Sequence, residues 1–273
     1  MKIYEKFSLQ ERTALVTGGA GLLGRQFSRT LGEAGANVVV ADLDFDAARG
    51  HAQSLRDMGI RAITVKADVT NPDSVEALVA HTISEFGHLD VLVNSAALDP
   101  KFDPQHLGEH SANAFENYAL EAWQKSLDVN LTGVFLVSQA AAKTMVQQGS
   151  GVIINISSIY GLVGPDQRIY PHMEGRQSYK PVDYAVTKAA ILGLTRYMAA
   201  YYAGTKIRVN ALTPGGIFNQ HNDEFTTNYS SKAILGRMAD EDEINGALLF
   251  LASDASSYMT GANLVVDGGY TAW

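Results

Sequence analysis

Tyr184 and Lys188 stand at positions i and i+4 of a stretch with helical periodicity, so their side chains share one face. A free tyrosine ionises near pH 10 and is only about one part in a thousand phenolate at pH 7. An ammonium beside it favours the phenolate, and lowering the pKa to about 7 takes roughly 4 kcal/mol of differential stabilisation. One partly desolvated charge plus hydrogen bonds is of that scale. The pair can therefore move a proton to or from a substrate oxygen. Taken alone, Tyr-x-x-x-Lys is also a common contact on helix surfaces, so its meaning depends on what accompanies it.

A second constellation lies near the start of the chain. Residues 14–24, Ala-Leu-Val-Thr-Gly-Gly-Ala-Gly-Leu-Leu-Gly, read as a strand, a glycine-rich turn and a helix start, and Gly19, Gly21 and Gly24 satisfy G-x-G-x-x-G. Glycines there permit a tight turn and let backbone N–H groups approach a pyrophosphate at the positive end of a helix. Asp42 closes the next strand, where a carboxylate accepts both ribose hydroxyls of an adenosine. The same carboxylate would meet the 2′-phosphate of NADP, with Asp44 and Asp46 close behind and Arg49 the next basic residue. Unit like charges about 4 Å apart cost roughly 4 kcal/mol at an effective dielectric near 20. The expected cofactor is NAD(H).

These residues need a frame, and the hydrophobic pattern supplies one. Apolar, β-branched runs at 13–17, 37–42, 62–66, 91–94, 152–157, 208–212 and 264–266 alternate with helical patterns at 22–34, 45–58, 73–86, 120–147, 183–203 and 240–252. Near-continuous Val/Ile/Leu character indicates strands buried on both faces, as in a parallel sheet. The pattern predicts an α/β fold of Rossmann type: a doubly wound parallel sheet in a three-layer αβα sandwich, as a single domain over 1–273. Two stretches interrupt the rhythm, at 98–119 and 161–181. Both follow a strand, which places them at the carboxyl edge of the sheet, where open α/β folds bind ligands.

Composition narrows the field. A net charge of −8 disfavours nucleic acid and anionic lipid as partners. The absence of cysteine removes thiol nucleophiles, disulfides and cysteine-ligated metals. The longest uncharged stretch is broken by polar residues and is no membrane span, and the N-terminus lacks the pattern of a signal peptide, so a cytoplasmic location is expected. His106 and His110 flank Glu109, but there is no H-E-x-x-H and no third ligand nearby, so no metal is expected. Tyr197, Tyr201 and Tyr202 follow helical spacing and read as packing.

Thr17-Gly18 with its glycine turn, Asp68-Val69, Asn94-Ser95-Ala96-Ala97, Asn130, Ser157-Ser158, Tyr184-Ala185-Val186-Thr187-Lys188, Pro214-Gly215 and Asp267-Gly268-Gly269 occur in one order along nearly the whole chain. This series resembles the motifs of the short-chain dehydrogenase/reductase family. The resemblance implies an NAD-type enzyme of CH–OH groups that uses Asn130, Ser158, Tyr184 and Lys188. Tyr184 would be the general acid or base on the substrate oxygen, and Ser158, the second serine of its pair, would hydrogen-bond that oxygen. Lys188 would bind the nicotinamide ribose and lower the pKa of Tyr184, while Asn130 would hold a water linking Lys188 to solvent. Cofactor contacts would come from Gly18, Gly21, Leu23, Gly24, Asp42, Leu43, Asp68, Val69, Asn94, Ala96, Pro214 and Ile217, besides Tyr184 and Lys188. The family also implies a homo-oligomer, a dimer or tetramer, with the tyrosine-bearing helix often in the interface.

Three positions depart from the family's usual reading. Leu22 stands where single-domain members carry a glycine. The resulting spacing resembles the extended branch, which includes nucleotide-sugar epimerases and dehydratases. Asn94-Ser95-Ala96-Ala97 replaces Asn-Asn-Ala-Gly, and Asn219 replaces a threonine that often follows Pro-Gly. Members of the extended branch usually carry a sizeable C-terminal substrate domain, whereas the chain after Pro214 is short.

Both insertions should border the substrate. With Arg168, His172, Arg176, Gln177 and Lys180 available, the pocket reads as polar and suited to a carbohydrate-like small molecule, more than to a steroid or an acyl chain as in 3-oxoacyl reductases. Arg168 and Arg176 are the candidate substrate clamps. Ser-Ser-Ile-Tyr-Gly, Pro165-Asp166, the long insertion and the terminal Thr-Ala-Trp resemble bacterial flagellin-modification and sugar-biosynthesis dehydrogenases. The expectation is an NAD(H)-dependent interconversion of alcohol and ketone. An epimerase or dehydratase, or a non-catalytic dinucleotide sensor, stand as alternatives; retention of Asn130, Ser158, Tyr184 and Lys188 together argues against a sensor.

Overall fold

The structure, a computed structural model, describes residues 2–99, 113–170, 172–173 and 176–273, the backbone alone at 172–173 and 176–177. His106, Glu109 and His110 lie outside the described residues, as does the side chain of Arg176. The strands are β1 (Thr13–Thr17), β2 (Asn37–Asp42), β3 (Ala62–Lys66), β4 (Val91–Asn94), β5 (Ser150–Ile156), a short antiparallel pair β6 (His172–Met173) and β7 (Arg176–Gln177), β8 (Lys206–Pro214) and β9 (Asn263–Val266). The α-helices are α1 (Leu22–Glu33), α2 (Phe45–Asp57), α3 (Pro72–Phe86), α4 (Leu120–Leu127), α5 (Val134–Gln148), α6 (Val182–Tyr201), α7 (Asp223–Ser230) and α8 (Asn245–Ala252).

Seven strands form one sheet in the order β3-β2-β1-β4-β5-β8-β9, and every neighbouring pair runs parallel. Successive side chains of a strand point to opposite faces, and here both faces are covered. Leu15, Val39, Leu92 and Ile153 pack with Leu78, Val137 and Met145 on one side. Ala14, Val16, Val93 and Ile154 pack with Phe27, Leu31 and Leu248 on the other. The order of strands reverses around β1, whose end lies beside that of β4 with Thr17 opposite Asn94. That reversal opens a crevice at the carboxyl edge.

Local signals start and stop the helices as side-chain chemistry requires. Asn71 accepts from the backbone N–H groups of Asp73 and Ser74, with Pro72 in the first turn, and Gly87 closes α3 in the left-handed conformation. Asp44 caps α2 by accepting from the N–H of Ala47. The long helix expected over 120–147 is instead α4 and α5 joined through a π-helical turn, Asp128–Gly133. Gly133 shows why the turn fits there: a Cβ on it would lie 2.7 Å from Cγ2 of Val69. Apolar residues continue on both sides of the turn, so the sequence pattern reads α4 and α5 as one helical stretch. The final helix is also shorter than the expected 240–252, because its apolar face begins only with Ile244.

A polar ladder crosses the core beneath the crevice. Asn94 donates to Ser138 Oγ at 2.9 Å and to Asn155 Oδ1 at 2.8 Å, and Asn155 donates to Thr195 Oγ1 at 2.9 Å. It fixes β4 and β5 against α5 and α6. At the far edge, the partly buried guanidinium of Arg208 donates to the carbonyls of Leu251, Ser253 and Met259 and to Ser256 Oγ, tying α8 and the turn after it to β8. Arg208→Met should lower unfolding free energy by about 2–4 kcal/mol, because acceptors would stay buried with fewer donors. Urea denaturation followed by circular dichroism measures it; a loss under ~0.5 kcal/mol would show that water replaces the guanidinium freely.

Candidate active site

The turn after β1 is built by close approach. Gly18 has φ +63°, and a Cβ there would lie 2.7 Å from the Ala96 Cα. A Cβ on Gly24 would fall 2.0 Å from the carbonyl oxygen of Gly18. Only glycine fits either place. Helix α1 then starts at Gly21 with no side chain capping it and no acidic residue in its first turn. Its first N–H groups and its positive end are thus available to an anion, as a dinucleotide pyrophosphate requires. Leu22 is simply the first residue of α1, so the departure there leaves the cradle between Gly18 and Gly24 intact.

Asp42 is pinned opposite this turn. One carboxylate oxygen accepts from the N–H of Ala20 at 2.9 Å and the other from the N–H of Asp44 at 3.0 Å. Leu43 follows it, exposed, and Asp68 turns inward onto the N–H and hydroxyl of Thr70 at 2.9 and 2.7 Å. Val69 packs against Gly133. Arg49 is held on Asp46, whereas Arg25 donates from Nε to the carbonyl of Ala20 at 2.7 Å. Reading the basic residues by distance along the chain missed Arg25, which lies one turn into the helix and comes back over the glycine turn. Thr17 was also missed as a positioning residue. Its buried hydroxyl accepts from the N–H groups of Ser95 and Ala96 at 3.2 and 3.3 Å, so it sets the gap between β1 and β4.

The chemistry-bearing side chains meet at the end of β5 and the start of α6. Lys188 is buried, donates from Nζ to the carbonyl of Ile156 at 2.9 Å, and lies 5.7 Å from the ring centroid of Tyr184. Burial pushes its pKa down to about 8, opposed by the charge of Asp99 and reinforced by that of Lys180. Burial also holds the Tyr184 phenol well above its ordinary value, with Asp99 adding to the rise and a hydrogen bond with Ser158 working against it. Ser158 lies beside the phenol, with its Oγ accepting from the N–H of Tyr160 at 3.3 Å. Ser157 is occupied elsewhere, donating to the carbonyl of Lys188 at 2.8 Å. The turn after Ser158 can sit this close to α6 because Gly161 has no side chain: a Cβ would lie 2.6 Å from the carbonyl oxygen of Lys188.

The remaining sequence candidates fall into place differently. Asn130, in the π-helical turn, uses its amide on Leu98, accepting from its N–H at 2.6 Å and donating to its carbonyl at 3.0 Å, with further bonds to Ser126 and Thr187. It clamps the segment after β4, and none of these contacts is to Lys188. Pro214 ends β8, and Ile217 bridges to Ala239 across the loop beyond. Arg168 is 84% exposed and grips both oxygens of Asp166, which Lys232 also contacts. Neither pattern nor spacing had singled out Asp99, which pairs with Lys180 beside Tyr184.

A family model described as enoyl-(acyl carrier protein) reductase matches residues 19–271. The cis-4-hydroxycyclohexanecarboxylate dehydrogenase of Sinomonas cyclohexanicum is 39% identical over 266 residues, 96% of this chain and 97% of that protein. The 3-alpha-(or 20-beta)-hydroxysteroid dehydrogenase of Mycobacterium bovis is 39% identical over 261 residues, 96% of this chain and 90% of that one. Among solved structures, a gluconate 5-dehydrogenase from Burkholderia cenocepacia, in complex with NADP and tartrate, superposes with a TM-score of 0.86 at 31% identity over the full length of both chains. With the glycine cradle, the parallel seven-stranded sheet and the motif order in agreement, the chain belongs to the short-chain dehydrogenase/reductase family.

Proposed function

We propose that the protein is an NAD(H)-dependent oxidoreductase that interconverts an alcohol and a ketone on a polar, carbohydrate-like small molecule. The observation that carries this reading is the meeting of Ser158, Tyr184 and Lys188 at the carboxyl edge of the sheet, next to the Gly18–Gly24 cradle. A bound nicotinamide cofactor supplies the hydride for reduction and accepts it in oxidation. In reduction Tyr184 gives its phenolic proton to the carbonyl oxygen, while Ser158 hydrogen-bonds that oxygen. In oxidation the phenolate takes the hydroxyl proton back. Lys188 places a positive charge beside the phenol and offsets what burial does to it. Dehydrogenase relatives named for a hydroxycyclohexanecarboxylate and for gluconate support a polar substrate.

Asp42 supports NAD(H) over NADP(H), because a 2′-phosphate would face its carboxylate. Tyr197 and Tyr201, exposed and stacked on α6 at 6.1 Å, support association of copies through that helix. Among the described residues no helix is long and apolar enough to cross a membrane.

Titration calorimetry should find NADH binding tighter than NADPH, by about a hundredfold or more if the charge repulsion acts at close range. Asp42→Ala should narrow that gap mainly by weakening NADH, and Arg25→Ala should weaken only NADPH. Equal affinities in the unmodified protein would remove the role given to Asp42. Turnover on a panel of polyols, sugars, hydroxy acids and cyclic alcohols should fall by about 10²–10⁴ in Tyr184→Phe, the range of general acid–base catalysis. Lys188→Met should lose both cofactor affinity and rate. Near-normal turnover in Tyr184→Phe would assign the proton to another group.

A further inference from the structure

The insertion at 161–181 returns to the core at Lys180, immediately before Pro181, the residue preceding α6. The side-chain amide of Gln167 holds Lys180 by its backbone, accepting from its N–H at 2.9 Å and donating to its carbonyl at 3.2 Å. The two arms of the insertion are thereby joined, and the lysine side chain is directed inward. It is only 12% exposed, with Nζ 3.9 Å from the ring centroid of Tyr184 and 6.0 Å from that of Tyr160. An ammonium placed so deeply needs an anion. Asp99, on the segment after β4, provides one.

Among the described residues, Lys180 and Lys188 are the cations at Tyr184, with Asp99 on Lys180 and Asp183 buried on Tyr118. The ion pair of Lys180 and Asp99 is asymmetric. The Asp99 side chain is 52% exposed and can turn into water at little cost, whereas Lys180 is fixed by Gln167 and by the aromatic faces. An incoming anion can therefore take the place of Asp99 on Lys180. Arg168 does not compete for that role, being committed to Asp166 at the surface.

We propose that Lys180 is the anchor for a carboxylate on the substrate, so that the molecule oxidised or reduced at Tyr184 is a hydroxy or keto acid. This rests on the alcohol–ketone reading of the same site and names the substrate class within it.

Binding separates this proposal from catalysis. Cyclohexanecarboxylate and its uncharged carboxamide have no hydroxyl to oxidise, and both can be titrated into the protein saturated with NADH. The carboxylate should bind at least about tenfold more tightly, the scale of one charge-assisted hydrogen bond. Lys180→Met should abolish that preference, Lys180→Arg should keep most of it, and Asp99→Asn should enlarge it. Circular dichroism and NADH affinity check that each variant is folded. In turnover, the ratio of kcat/KM for a hydroxy acid over its carboxamide should fall about tenfold or more in Lys180→Met, through KM. Equal binding of carboxylate and carboxamide overturns the proposal, as does an equal loss on both in Lys180→Met, which would make Lys180 a general support for Tyr184. If the carboxylate is preferred but nothing is turned over, the anion site stands and the alcohol–ketone reading falls.

Discussion

An ammonium buried beside a phenol needs an acceptor and a position that cannot drift, and Lys188 takes both from the end of β5 and the residue after it. The carbonyl of Ile156 receives Nζ, and the hydroxyl of Ser157, one residue on, donates to the carbonyl of Lys188 itself. Strand and helix thus hold each other at the same level by reciprocal bonds. The contact requires a turn after Ser158 that runs against α6, which Gly161 alone permits. Ser158, the residue after Ser157, accepts from the N–H of Tyr160 at 3.3 Å at the head of that turn. The geometry of the proposed proton-transfer site follows from satisfying one buried charge.

The cofactor side depends on a comparable economy of space. Gly18, Gly24 and Ala96 occupy positions where backbone meets backbone, and the Thr17 hydroxyl bridges the two strands that define the crevice. The polar ladder from Asn94 through Asn155 to Thr195 runs from this half to α6. A shift of β4 would break bonds that also hold Lys188's helix. The glycine cradle and the proposed proton-transfer site are therefore joined through one network of hydrogen bonds, as hydride transfer between two molecules bound side by side would require.

The first four strands match the sequence pattern to the residue, because each is a short run of β-branched and apolar residues, those of β1, β2 and β4 nearly all buried. The sequence also carried the family resemblance and the α/β class. It did not separate the π-helical turn from the helices on either side, nor show the short helix α7, whose sequence Asp-Glu-Phe-Thr-Thr-Asn-Tyr-Ser has little periodicity. The site was legible where chemistry is local, as in Tyr184 and Lys188 on one helix face. It was illegible where contacts join distant segments. Arg25 folds back over Ala20, Gln167 grips the backbone of Lys180, and Asp99 meets an ammonium far along the chain. Charged residues in a loop look alike in a sequence, and only the fold distinguishes Arg168, turned to the surface, from Lys180, turned to the phenol.

The amide of Gln167 closes the insertion below its tip with two uncharged bonds to backbone atoms. Such a clasp is indifferent to pH and to which side chain stands at position 180, since it reads only the main chain. Just beyond it, Ile169 and Tyr170 pack in one cluster with Tyr160, Tyr184 and Tyr229, and the Tyr170 hydroxyl donates to that of Tyr160 at 3.0 Å. The point where the two arms meet is therefore set at position 180 by main chain alone, and the charge carried there can change without loosening it. Position 180 is in this sense a socket: evolution, or an engineer, can exchange the side chain it presents beside Tyr184 while the joint that carries it stays closed.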